Sequence, residues 1–333
     1  MRSAVSLLLV GALLGYVLPR LVGTTASEVG TELGTVAAHQ FVGLAMLWAA
    51  GIFVHSFVLT GSLPGLTRTR ALTLNLTGSA VSNVLPFGGA AGMSLNYLMI
   101  RSWGFRPSAF AAYTFVTNLW VVLLKLALPV LVPVVLLASA TNPTPTLMVT
   151  AGVAGAALAV LIAVVIASLT SRAAGVRMAS RVAPVAARIG RRLRLHWEPD
   201  RLAADLLGWR DRVAEVAGRG WGQLSVAMGG YAVLQATLLW GCLHAVGVHP
   251  RLSHVFAGYA ADRVLTLIVL TPGGAGFAEA GISATLVALG GPPGRVTAGV
   301  LLYRGFTFAL EIPVGGVTLA AWLLRRRLAA RRA

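Results

Sequence analysis

Seven long apolar runs decide what this chain can be. They cover Ala4–Leu18, Val36–Leu59, Ala109–Leu137, Leu147–Leu169, Leu224–Val246, Val255–Leu270 and Val296–Leu324. A bilayer core takes roughly 20 apolar residues per helix, and most of these runs reach or approach that length. Charged residues make up only 11% of the chain, against roughly 25% in a soluble domain, so a water-facing surface cannot be assembled. The expected fold class is all-α, a polytopic integral membrane protein forming a single domain over residues 1–333.

The net charge of +17 suggests nucleic-acid binding until its placement is considered. Eleven arginines lie between Arg172 and Arg219, and five more occupy the last nine residues. Basic loops flanking apolar runs mark the cytoplasmic side of a membrane and attract anionic headgroups, so no nucleic-acid partner is expected. By the same rule the pairs Arg68/Arg70 and Arg101/Arg106 lie inside. Residues 23–39, with Glu28 and Glu32 and no Lys or Arg, lie outside, as do Thr141–Thr146 and Gly247–Ser253. Both termini are then cytoplasmic, in a multi-pass protein of the cell membrane. Ala4–Leu18 is expected to be a retained first helix, with a cleavable signal peptide as the alternative. Cys242 is the only cysteine, which excludes an internal disulfide and a cysteine-rich metal site.

Two stretches do not read as simple spans. Ala71–Ile100 begins and ends inside, around Pro86, and Val255–Gly290 begins and ends outside, around Pro272-Gly273-Gly274. Each must enter and return, as a re-entrant hairpin or a pair of short helices. Irregular backbone at membrane depth survives only where protein or a wet cavity satisfies it. The stretches also resemble each other: Leu85-Pro86-Phe87-Gly88-Gly89 beside Leu270-Thr271-Pro272-Gly273-Gly274, each followed by a proline, Pro107 or Pro293. Asn118 and Arg304 both lie eleven residues beyond that proline. Opposed entry sides make this the pattern of an inverted repeat, which places a substrate site near the midplane. Within 171–220, Leu202, Leu206, Trp209, Val213 and Val216 recur at helical spacing, predicting a short amphipathic helix on the membrane surface.

Ionisable groups inside apolar runs are the candidates for function, because each costs roughly 2.5–3.5 kcal/mol to insert. They are Asp262, Glu279, Glu311, Lys125 and Arg304, with Arg263 beside Asp262. Glu279 follows Gly276 by three residues, where it can hold a cation or proton, pair with Arg304, or simply favour a helix start. Arg304 has the planar fork that grips phosphate oxygens; its structural alternative is a pair with Glu279 or Glu311. Asp262 and Arg263, being consecutive, point in different directions and are expected to have different partners. Lys125 is expected to snorkel toward the outer interface. Asn75, Asn83 and Asn96 either satisfy local backbone or line a polar cavity. His244 and His249 do not share a helix face, and neither a metal nor any other cofactor is expected.

The run from Pro272 to Gly281, with Leu302-Tyr303-Arg304 beyond it, resembles the lysylphosphatidylglycerol synthase transmembrane family, the flippase-like domain of the multiple peptide resistance factor. Asn83-Val84-Leu85-Pro86-Phe87-Gly88-Gly89 resembles that family's first Pro/Gly motif. Where many members carry an acid after that motif, this sequence has Ala90, Ala91 and Gly92. The resemblance implies about eight hydrophobic helices and a role in moving or exposing lipids. The synthase domain that transfers lysine is not expected here, because the chain ends at Ala333 after its last helix, so lysyl transfer is not expected either. The expected function is translocation of a lipid or lipid-linked intermediate, with anionic or phosphate-bearing lipids as partners. The substrate-binding set is Glu279, Arg304, Pro272, Gly273, Gly274, Gly276, Asn83, Pro86, Gly88, Gly89, Asp262 and Arg263, with half-helix N-termini near Gly92 and Gly276. An intramembrane enzyme acting on a polyprenyl-linked or phospholipid substrate, and a non-transporting partner of a separate synthase, are the alternatives. Self-association is open.

Overall fold

A computed structural model describes residues 26–85, 88–171, 198–267 and 276–330, with residues 173, 176, 177, 180–185 and 188 between them. The first apolar run, with its choice between helix and signal peptide, lies outside the described residues, as do Pro86, Pro272, Gly273 and Gly274. Among the described residues all regular structure is helical. In chain order the helices are α1 (Ala26–Gly34), α2 (Ala38–Ser62), α3 (Arg68–Val84), α4 (Gly88–Ser102), α5 (Pro107–Ala138), α6 (Pro145–Thr170), α7 (Pro199–Ala245), α8 (Leu252–Leu265), α9 (Phe277–Ala288) and α10 (Pro293–Arg304). A π-helical turn, Gly305–Ala309, then leads into α11 (Glu311–Ala330).

Local chemistry sets the starts. Proline opens α5, α6, α7 and α10, where its missing N–H costs nothing. Thr67 and Thr144 cap α3 and α6 by accepting from the backbone N–H of Arg70 and Leu147. Five segments are long and apolar enough to cross a bilayer: Ala38–Ser62, Pro107–Ala138, Pro145–Leu169, Ala203–Ala245 and Pro293–Leu328. Their outward faces are greasy; Val149, Val153 and Val160 of α6 are each more than 60% exposed. Such an apolar exterior would aggregate in water and is satisfied by lipid chains. The protein is a multi-pass membrane protein.

Apart from the short α1, the remaining four helices form two hairpins. α3 and α4 have 17 and 15 residues, and α8 and α9 have 14 and 12. At 1.5 Å per residue they reach roughly 18–25 Å, short of the ~30 Å hydrocarbon core. Contacts sort the loops to two ends of the bundle. At one end Arg295 pairs with Glu32 and lies beside Gly247, and Arg251 donates to the Ser139 carbonyl. At the other, Arg212 donates to Ser108, Arg210 donates to the carbonyls of Ser168 and Leu169, and Gly65 faces Phe105. Trp322 of α11 joins Leu63, Leu66 and Ile100 in the core at that second end. These groupings match the loop sorting by charge. Each hairpin therefore enters and leaves at one end, and the two use opposite ends.

The halves exchange their hairpins. α2 and α7 lie together at the centre; α3 packs on α11, and α8 packs on α5. Two hydrogen bonds make the same exchange. Asn83, at the end of α3, donates Nδ2 to the Phe308 carbonyl at 3.3 Å. Lys125 of α5 donates Nζ to the Thr266 carbonyl, just past α8, at 3.0 Å. In each case the inner end of one half's hairpin is tied to the middle of the other half's long helix. The interval between Pro107 and Pro293 also separates Pro86 from Pro272, and it carries Lys125 onto Glu311.

Two expectations need correction. The amphipathic stretch from Leu202 to Val216 is no separate surface helix. It is the first part of α7, 47 residues without interruption, or about 70 Å. Val213 and Ala217 are buried against the bundle, which holds the helix in register with its membrane-crossing part. Lys125 does not snorkel; bonding the Thr266 carbonyl satisfies one of the backbone acceptors left open where α8 ends.

Candidate functional site

The second hairpin carries the charges. Gly276 opens α9 with φ +88°, a left-handed conformation that favours glycine. Its N–H donates to Glu279 Oε2 at 2.6 Å. The other carboxylate oxygen accepts Arg304 Nε at 2.5 Å. Glu279 is fully buried and the Arg304 side chain is 7% exposed. Thus Glu279 both closes the first turn of its helix and neutralises an arginine from α10. Arg304 also stands 5.3 Å from the centre of the Phe308 ring, on the π turn that directly follows it. A π turn inserts an extra residue and commonly marks a functional position in a helix. Here it separates Arg304 from Glu311, which lies near Ser79, Trp48 and Arg304.

Asp262 and Arg263 depart from expectation. Side chains on consecutive helical positions project about 100° apart, yet Arg263 donates both Nε and Nη2 to Asp262 Oδ2. The flexible arginine stem folds back within two residues of the end of α8, with the guanidinium 5.1 Å from the Tyr259 ring centre. Asp262 is fully buried, and its Oδ1 has no hydrogen-bond partner. The membrane-embedded charges therefore balance: Asp262, Glu279 and Glu311 against Arg263, Arg304 and Lys125. His244 and His249 do meet, with ring centroids 4.7 Å apart, because α7 ends at Ala245 between them. Among the described residues, no group of three metal-ligating side chains forms.

The first hairpin carries its arginines, Arg68, Arg70 and Arg101, at its outer end, and its inner part is polar without Asp, Glu, Lys or Arg. A cavity of about 300 Å³ opens between α2, α3, α4 and α5, with Asn75, Asn83, Asn96 and Asn118 on its walls. Glycines let the walls close up. A Cβ on Gly88 would stand 1.8 Å from the Ser82 carbonyl oxygen, and one on Gly92 would stand 2.7 Å from that of Gly78. Gly88 is thus a packing position, whereas Gly89 faces the cavity. The half-helix starts at Gly88 rather than near Gly92, which sits a turn inside it.

The family model described as the lysylphosphatidylglycerol synthase TM region matches residues 3–315. The chain belongs to this family. No curated protein matches it. Membership in the lysylphosphatidylglycerol synthase TM family gives the protein a membrane lipid-related role, and the expected family is borne out. The structure brings Glu279, Arg304 and Gly276 together, and Asp262 with Arg263. It sets Asn83, Gly88 and Gly89 at the first hairpin. Sequence reasoning missed Ser82, Thr114 and Thr117, which also line the cavity. The repeat relation pointed to this face of α5 through Asn118, but hydroxyl residues carry no distinctive spacing.

Proposed function

We propose that the protein is a lipid translocase of the cell membrane, with both termini in the cytoplasm and a phosphate-bearing lipid as substrate. The buried Glu279–Arg304 pair at the tip of a broken hairpin carries this reading. A guanidinium fork fits phosphate oxygens as well as it fits a carboxylate. A lipid phosphate reaching Arg304 replaces Glu279 as its partner, and Glu279 keeps its bond to the Gly276 N–H. When the phosphate leaves, the internal pair re-forms and no bare charge is left in the membrane. Two hairpins entering from opposite ends give each leaflet a polar break in the helical wall. The family's lipid-related role supports the same substrate class.

The test is movement of a fluorescent anionic phospholipid between leaflets of reconstituted vesicles, read by chemical quenching of the outer leaflet. Wild-type protein is expected to accelerate it over protein-free vesicles. Arg304→Lys keeps the charge but loses the fork, and is expected to slow it about tenfold, the effect of a 1.4 kcal/mol difference. No acceleration by wild type, or an Arg304→Lys variant as fast as wild type, would refute the proposal.

A further inference from the structure

The cavity at the first hairpin has a chemistry that the charged pair does not share. Six of its wall residues are Asn75, Ser82, Asn96, Thr114, Thr117 and Asn118, and among the described residues lining it none is Asp, Glu, Lys or Arg. Asn96 Oδ1, Thr114 Oγ1 and Thr117 Oγ1 are buried with no hydrogen-bond partner. Polar atoms left so are destabilising until something bonds them. Amides and hydroxyls present donors and acceptors side by side, a lining that complements groups able to do both. Ligand hydroxyls have that property. A bare phosphate does not, because taking its charge out of water calls for a cation.

The polar cavity shares one wall residue with a second space. Asn118 also lines a groove of about 440 Å³ between α5, α6 and α7, whose walls include Phe115, Leu119, Val122, Leu161 and Trp209. The groove is apolar over nearly all its length, polar only at Asn118, Ser168 and Arg210. A hydrogen-bonding chamber, with His55 also on its wall, that shares Asn118 with an apolar groove suits an amphiphile, and the groove suits an acyl chain. We propose that this cavity binds the uncharged, polyhydroxylated headgroup of a glycolipid, with one acyl chain passing Asn118 into the groove. This is a separate site from Arg304 and takes a different headgroup.

The test uses the full chain in nanodiscs of phosphatidylethanolamine containing equal amounts of monoglucosyl-diacylglycerol, phosphatidylglycerol and diacylglycerol with matched chains. Native mass spectrometry of the released protein reads which lipid stays bound, independently of transport. Wild type is expected to retain the glucosyl lipid about tenfold over either competitor, the ratio that 1.4 kcal/mol gives. The double variant Asn96→Leu/Thr117→Val should bring that ratio close to one. If the double variant does not insert, Asn118→Leu at the exposed rim reads the same ratio. Wild type that prefers phosphatidylglycerol or shows no preference overturns the proposal. So does a glucosyl preference that survives in a variant that folds.

Discussion

Replacing Gly315 with alanine tests the exchange of hairpins between the two halves. A Cβ at Gly315 would stand 2.1 Å from the Leu76 carbonyl oxygen and 2.5 Å from the Ala80 Cβ. Both atoms belong to α3, and one is backbone, so no side-chain rotation relieves the overlap; α3 and α11 must move apart. Overpacking of this kind costs about 1–3 kcal/mol, and contact with backbone places the cost toward the upper part of that range. The next residue supplies the control. At Gly316 an added Cβ meets nothing within 4 Å, so only the better helix propensity of alanine acts, worth up to about 1 kcal/mol. That gain is common to both positions and cancels in the comparison, leaving the steric cost alone. Unfolding in mixed micelles by a denaturing detergent, followed by circular dichroism, should show Gly315→Ala clearly less stable than wild type and Gly316→Ala at least as stable. Equal stability of the two variants would mean that α3 does not lie against α11, and the exchanged arrangement would fall.

Two further outcomes follow from the same packing. In a Cys242→Ala background, single cysteines at Thr69 and Arg101 should share one labelling side, and those at Leu252 and Ala288 the opposite side; a split within either pair, read with an impermeant thiol reagent, contradicts re-entry. Lys125→Met keeps the apolar stem but removes the donor to the Thr266 carbonyl; thermal unfolding should show a loss of about 1–2 kcal/mol, and an unchanged midpoint would show that this tie between the halves is idle.

The features readable in the sequence are those fixed by solvent and by covalent geometry. Apolar runs gave the crossing helices, proline and glycine gave the breaks, and arginine placement grouped the loops as the contacts do. Glu279 and Arg304 stood out because charge is rare in a membrane, and they do meet. Pairings that depend on side-chain flexibility were not readable: Arg263 folding back on Asp262 follows from the length of its stem, and helical rotation alone argued against it. The unbroken course of α7 was hidden by a change of surroundings. Its first part is amphipathic, its second part apolar, and Gly218, Gly220 and Gly222 lie between them. Only packing shows why Gly220 suits a continuous helix: a Cβ there would lie 3.4 Å from the Gly61 carbonyl oxygen of α2. The polar cavity was one of two readings open for Asn75, Asn83 and Asn96, all of which line it, because asparagine and threonine are ordinary in loops and become informative only once buried together.

The most direct test of the central claim measures lipid translocation beside thermal stability for Glu279→Gln, Arg304→Gln and the double variant. Breaking a buried ion pair strands a charge and costs roughly 3–5 kcal/mol, so each single variant should melt early. Removing both charges should restore the melting temperature. Arg304 is proposed to hold the lipid phosphate as well as Glu279, so the stable double variant should remain inactive in reconstituted vesicles. A double variant that regains stability and translocation together would make the pair a scaffold and contradict the account.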